Sequence, residues 1–188
     1  MTAADDHPGI VGTGTPLTLL MAWADEGDTQ AFAARLAAMA EVRDAFIALH
    51  GDLGAGKTTF VRHLLRALGV AGRIKSPTYA VVEPHEAAAD GVGWPVWHFD
   101  FYRFDDPREW EDAGFRDIFA SPGLKLAEWP EKAEGVLPRP DLDIAISSGP
   151  EDDARQVLVT ANTTLGAAML RRLAAADASS PSQPNQQP

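Results

Sequence analysis

The chain has 188 residues, 45% hydrophobic and 23% charged, which predicts one soluble globular domain with a sizeable core. It has no cysteine, which excludes a disulfide framework, a thiolate metal site and a thiol nucleophile. A formal net charge of −11 argues against a stand-alone nucleic-acid binder, because phosphate backbones repel an acidic chain.

Residues 1–15 are rich in Gly, Pro and Thr and carry acids where a secretory signal needs a basic start and an apolar run. They read as a flexible extension, and the protein as cytoplasmic. Leu17 to Trp23 is apolar but too short to span a bilayer. Asp28-Thr29 reads as an N-cap, and Phe32, Leu36, Met39 and Ala40 share one face, so the spacing predicts an amphipathic helix over 29–41. Ala45 to Leu49 is a continuous apolar run, as in a strand buried on both faces. A Gly-rich loop follows. Thr58 to Leu68 then reads as a helix closed by Gly69, with Phe60, Val61, Leu64, Leu65 and Leu68 at helical spacing.

Tyr79 to Val82 and Pro95 to Phe99 read as two strands joined by the polar run HEAAADGVG. Asp106-Pro107 opens a helix whose body is Arg108 to Ala113. Leu124 to Glu128, Leu142 to Ser147 and Gln156 to Ala161 are strand-like, with the turn GPEDD before the last. From Ala174 the chain is polar, Pro-rich and of low complexity. The expected organisation is an extension over 1–15, a single domain over 16–172 and a disordered tail over 173–188. The expected fold is α/β: a P-loop NTPase-like three-layer sandwich with a mixed parallel/antiparallel central sheet.

The loop Gly51-Asp52-Leu53-Gly54-Ala55-Gly56-Lys57-Thr58 carries the chemistry. Gly-rich backbone lets successive amides turn inward and lets phosphates come close. The helix that follows presents its N-terminus to the anion. Lys57 is spaced to reach β- and γ-phosphates, and the Thr58 hydroxyl to meet Mg2+. The motif stands between a buried strand and an amphipathic helix, which is the context the mechanism requires. From Gly51 to Tyr79 the bases are Lys57, Arg62, Arg66, Arg73 and Lys75, and the one acid is Asp52. That stretch is either a solvated helix face or a face that meets an anionic ligand or partner.

Two carboxylates close apolar runs, Asp100 after VWHF and Glu128 after LKLA. Each reaches the sheet's carboxyl edge if its strand runs parallel to the P-loop strand, and at least one is expected to serve a Mg2+ shell. Trp129 is a core residue, a stacking platform or a partner contact. His50 and His98 flank strands as satisfied structural histidines, and no His cluster has zinc-site spacing.

Four ordered blocks go further: Gly51 to Thr59, Lys75-Ser76-Pro77-Thr78-Tyr79, His98-Phe99-Asp100-Phe101-Tyr102-Arg103, and Glu128-Trp129-Pro130-Glu131. At these spacings, over about residues 25 to 165, the chain resembles the bacterial TsaE (YjeE) family. That family is the ATPase component of the machinery that makes N6-threonylcarbamoyladenosine in tRNA. The resemblance implies ATP and Mg2+ as cofactors. Asp52, Leu53, Gly54, Ala55, Gly56, Lys57, Thr58 and Thr59 would hold phosphate, with Ser76 to Tyr79 as a switch-like loop that brings Thr78 to the γ-phosphate. It implies Asp100 as a catalytic or metal-linked aspartate beside Lys57, and Glu128 as the Mg2+ carboxylate that completes a shell begun by Thr58. Trp129, the segment Ala24-Asp25-Glu26 and Arg155 match nucleotide-contacting positions. The implied partner is a TsaD–TsaB-like protein complex, with tRNA met only through it, no membrane, and the Arg62 to Lys75 stretch as a docking face. The competing reading is a small P-loop kinase, which needs an Arg-rich lid; Arg103, Arg108 and Arg116 are spread out instead. A GTPase would need an Asn-Lys-x-Asp run, which is missing. A module that binds nucleotide without turnover is the remaining alternative.

Overall fold

The structure is a computed structural model that describes residues 16–89, 91–104, 110 and 113–178. Seven strands form one sheet: β1 (Leu17–Trp23), β2 (Phe46–His50), β3 (Val82–Ala89), β4 (Val92–Asp100), β5 (Leu124–Glu128), β6 (Leu142–Ser148) and β7 (Arg155–Ala161). Their order across the sheet is β1-β7-β6-β2-β5-β4-β3. The four central strands, β6, β2, β5 and β4, pair in parallel. Antiparallel β7 and β1 extend one side and antiparallel β3 the other. The sheet is mixed, as expected.

Helices lie on both faces. In β2, Ile47 and Leu49 join the larger core, while Phe46 and Ala48 join the smaller one. That period-2 split of an all-apolar strand is how a central strand serves two layers. The larger core holds α1 (Glu26–Ala37), α2 (Lys57–Ala67) and α4 (Thr164–Ala178) against the sheet. Trp23, Phe32 and Phe60 meet there, with ring centroids 5.4 to 6.1 Å apart, and so tie β1, α1 and α2 together. The smaller core is aromatic: Phe99, Phe101 and Trp110 surround Phe115 of α3 (Phe115–Ala120). Among the described residues no helix is long and apolar enough to cross a membrane.

Several expectations shift. Helix α1 is capped by Asp25, whose carboxylate accepts from the Asp28 amide at 3.1 Å, so it starts three residues before the proposed Asp28 cap. Asp28 instead sits in the first turn and accepts from the Ala24 amide at 2.7 Å, a reciprocal arrangement that holds the entry of the chain. The 29–41 helix ends at Ala37, and a separate 3-10 turn covers Ala40–Asp44. Tyr79 to Val81 is a turn, not a strand: the Ala80 and Val81 amides both donate to the Pro77 carbonyl. β3 therefore occupies the run expected to be loop, and the hairpin turns at Gly91. Leu17 to Trp23 is a strand, and α4 continues to Ala178, past the expected tail boundary. The helix expected from Pro107 falls largely outside the described residues, as do the 1–15 extension and the last ten residues of the tail.

Phe32 is fully buried at the junction of three elements. Phe32→Ala should cost about 3–5 kcal/mol, the range for emptying an aromatic site in a packed core. Urea denaturation should show a lower midpoint with an unchanged slope.

Candidate functional site

The chain leaves β2 at His50 and turns through residues 51–56 before α2 begins at Lys57. Gly51 has φ 137°, and a Cβ there would lie 2.2 Å from the Ile146 carbonyl oxygen, so the loop can pass under β6 only without a side chain. Gly56 caps α2 in the left-handed region, φ 109°. The first intrahelical bond runs from the Phe60 amide to the Gly56 carbonyl at 2.9 Å. The amides of Lys57, Thr58 and Thr59 precede it, at the positive end of a helix with no acid in its first turn.

Lys57 is nearly buried, at 4% exposure. Its ammonium donates to the carbonyls of Gly51 and Asp52, the latter at 2.9 Å, and lies 3.7 Å from the centroid of the Trp129 ring. Burial pushes its pKa below the ordinary lysine value, while Glu128, Glu131, Asp100 and Asp52 oppose the shift. Trp129 adopts φ 58°, a strained setting for an aromatic residue, and is half-buried rather than a core residue.

Parallel pairing brings the two carboxylates to one edge. Leu49 stands opposite Glu128, and Asp100 opposite Glu128, so β2, β5 and β4 end at the same level. Glu128 is 2% exposed and accepts from the Thr58 hydroxyl at 2.8 Å. Asp100, 3% exposed, is occupied by the loop before it. One oxygen accepts from the Ser76 hydroxyl and, at 2.7 Å, from Thr78; the other accepts from the Tyr102 amide at 3.0 Å. The Asp100 amide in turn donates to the Val81 carbonyl at 2.9 Å. Both the side chain and the main chain of Asp100 thus hold the 76–81 turn in place.

Two hollows flank the loop and share Gly54, Gly56 and Thr59. The first, about 330 Å³, is reached by Leu53, Lys57, Thr58, Thr78, Asp100, Glu128 and Trp129. The second, about 380 Å³, is reached by Trp23, Asp25, Glu26, Ala55, Asp153 and Arg155. Each lies near the lower bound of ligand-sized cavities, roughly 300 Å³, so a larger ligand would straddle the loop.

The sequence model described as "Threonylcarbamoyl adenosine biosynthesis protein TsaE" matches residues 23–157, most of the chain. The chain belongs to the TsaE family. It is 46% identical over 118 residues to the tRNA threonylcarbamoyladenosine biosynthesis protein TsaE of Haemophilus influenzae, covering 63% of this chain and 71% of that one. The Bacillus subtilis TsaE is 39% identical over 134 residues, 71% of this chain and 80% of its own. The crystal structure of Bacillus subtilis YdiB has the same fold, with a TM-score of 0.67 and 30% identity over 88% of this chain and 99% of that one.

In this TsaE-family chain most residues singled out from sequence line one of the two hollows. Ala24, Gly51, Asp52, Pro77 and Tyr79 do not; Asp52 contributes its carbonyl to Lys57 and Ala55 instead. Arg155 reaches the loop itself, donating from Nε to the Ala55 carbonyl at 3.1 Å. Sequence reasoning does not single out Trp23, Thr29, Asp153 or Tyr102 as lining residues. Trp23 and Thr29 stay hidden because β1 and the true start of α1 carry no clear local signal. Tyr102 lies within the HFDFYR block, which assigns it no role.

Both histidines that flank strands have partners. His98 meets Glu128 at 2.9 Å, and His50 meets Asp143 at 2.8 Å. Burial pushes the Asp143 carboxyl up, but hydrogen bonds from His50 and Asn162 and the charges of His50 and Arg139 outweigh it, holding the group below the usual carboxylate range. A depressed folded-state pKa stabilises the protein above the unfolded-state value of about 3.9, and that stabilisation is lost as pH falls through the folded value. Asp143→Asn should therefore cost about 1 kcal/mol at pH 7. The gap to the parent should close below about pH 4, as read by urea denaturation across the pH range.

Proposed function

We propose that this TsaE-family chain is an ATP-hydrolysing subunit for formation of N6-threonylcarbamoyladenosine in tRNA, acting with a TsaD–TsaB-like protein complex. One observation carries the reading. The Thr58 hydroxyl, on the first turn of the P-loop helix, is bonded to a buried carboxylate, Glu128, at 2.8 Å, beside the nearly buried ammonium of Lys57. A hydroxyl and a carboxylate held together next to a lysine are the donor set for a divalent cation that accompanies a polyphosphate.

Among the described residues no group of three or more His, Asp or Glu side chains is placed to hold a metal alone. That suits Mg2+, which takes one or two protein oxygens and completes its shell with phosphate and water. Thr58 and Glu128 would hold it. When bound, Mg2+ would supply charge neutralisation on the phosphates and a better leaving group.

The chain's own residues do the rest. The amides of Lys57, Thr58 and Thr59 and the α2 dipole receive phosphate oxygens. Lys57 exchanges its loop carbonyls for those oxygens. The hollow at Asp25, Glu26 and Arg155 accepts the nucleoside side of ATP. Asp100 holds Ser76 and Thr78 so that the Thr78 hydroxyl borders the phosphate side, where it can hold the attacking water. Trp129 covers Lys57 and keeps that side dry.

A kinase reading gains no support. Arg103, a candidate lid residue, stacks at 4.7 Å on the exposed Tyr79 ring instead of reaching into the hollow. Leu53 of the P-loop and Tyr79 of the 76–81 turn are 78% and 86% exposed. Large apolar groups left in solvent beside a reactive site fit contact with a partner protein. tRNA is met only through that partner, in the cytoplasm.

Lys57→Ala should abolish ATP binding or nearly so, by isothermal calorimetry. Glu128→Ala should keep most nucleotide affinity yet lose Mg2+-dependent phosphate release in the presence of TsaD–TsaB homologues. Parent-like release by both variants with those partners would refute the site. Failure to co-purify with a TsaD homologue in every nucleotide state would refute the partner.

A further inference from the structure

His98 is a fully buried polar side chain that the mechanism leaves unused. His98 stands on β4 opposite Leu126 of β5, on the same sheet face as Asp100. Glu128 lies two residues beyond Leu126, so the imidazole sits behind the carboxylate on its core side. Its Nε2 is 2.9 Å from Glu128 Oε1, while Glu128 Oε2 accepts from Thr58 at 2.8 Å. We infer that His98 is the positioning residue that orients the Glu128 carboxylate toward the divalent cation; this rests on the reading of Glu128 as the Mg2+ carboxylate.

The hydrogen-bond pattern supports it. A carboxylate oxygen accepts, so Nε2 donates. Among the described residues Nδ1 has no partner. His98 is 0% exposed, so that orphaned nitrogen is kept in the core at a cost. An aliphatic side chain would pack there without the penalty. What histidine adds is the Nε2 donor to Glu128. Behind it stacks His85, ring centroids 6.4 Å apart, with its own Nε2 unpartnered. Burial holds His85 below the ordinary histidine value against the pull of Glu83.

The two bonds on Glu128 have different fates when a cation arrives. With a cation held by Thr58 and Glu128, the Thr58 hydroxyl would turn its oxygen to the metal and loosen its hold on Oε2. The His98 bond approaches from the core side and would be kept. It is then what stops the carboxylate from swinging about its last torsion. Partners of this kind behind metal ligands are typically worth roughly ten- to a hundredfold in metal affinity or activity.

The test uses the full chain with ADP and Mn2+ as the metal probe, reading free Mn2+ by paramagnetic resonance. Nucleotide affinity in EDTA and the thermal midpoint are measured beside it. His98→Leu should weaken Mn2+ binding about tenfold or more, with metal-free ADP affinity unchanged. His98→Gln, whose amide nitrogen can take the Nε2 position, should restore Mn2+ affinity. If His98→Leu does not fold, His98→Asn, too short to reach Oε1, takes its place with the same expectation. Parent-like Mn2+ affinity in His98→Leu or His98→Asn overturns the proposal, as does a loss in His98→Gln as large as in those variants. Glu128→Gln in the same assay separates the two readings. If it binds Mn2+ like the parent, the Mg2+ reading of Glu128 fails; if it loses Mn2+ while His98→Leu does not, only the role of His98 fails.

Discussion

The site turns on one ammonium kept in a nearly dry place. Desolvation drives Lys57 toward its neutral form, and a neutral amine would be of little use to a phosphate. Two loop carbonyls and the face of Trp129 accept the charge locally. Glu128, Glu131, Asp100 and Asp52 sustain it through space. Those four carboxylates come from separate parts of the chain: the loop itself, the end of β4, the end of β5 and the turn that follows it. Only strands that run parallel and end level can bring them around one lysine. The parallel centre of the sheet is therefore a requirement of the charge arrangement and not merely a way to fill a core.

What can be read from sequence follows from how local each signal is. The P-loop and α2 are legible because strand, turn glycines and helix are contiguous, and the structure moves their boundaries by only a residue or so. Asp100 and Glu128 are legible as strand-end carboxylates, but their meeting depends on pairing between distant strands, which periodicity cannot report. β1 escapes notice because alternation in Leu17–Trp23 is masked: Leu20, its most exposed large residue at 72%, is itself apolar. β3 looks like loop because its alternation runs through His85, Glu86 and a row of alanines. The start of α4 carries no acid in its first turn, and its end merges into the Ala-rich run that resembles a disordered tail.

Among the described residues two non-glycine residues have positive φ, Val81 at 63° and Trp129 at 58°, and both border the site. Each such setting costs on the order of 1–3 kcal/mol and persists only where its surroundings over-determine it. Around Val81 those surroundings are the Pro77 turn, the main-chain bond to Asp100, and the hydroxyls of Ser76 and Thr78 on the Asp100 carboxylate. A β-branched residue in that region is an outlier no propensity scale anticipates. Asp100, expected from its motif to act on substrate or metal, thus also offsets the strain of the segment that presents Thr78. The two roles compete for the same oxygens, so a shift of Asp100 toward a ligand must release Ser76 or Thr78 and with them the turn.

The same electrostatics bear on how a polyphosphate could enter. A bare anion would gain Lys57 and the amides of α2 but would meet Glu128 and Asp100, both almost fully buried and therefore poorly screened. The carboxylates that keep Lys57 charged would repel the ligand it serves. Under the proposed reading a divalent cation held by Thr58 and Glu128 would offset that repulsion, and Lys57 would then be free to leave the Gly51 and Asp52 carbonyls for phosphate oxygen. Metal dependence would then be a consequence of how the site keeps its lysine charged, rather than a separate feature added to it.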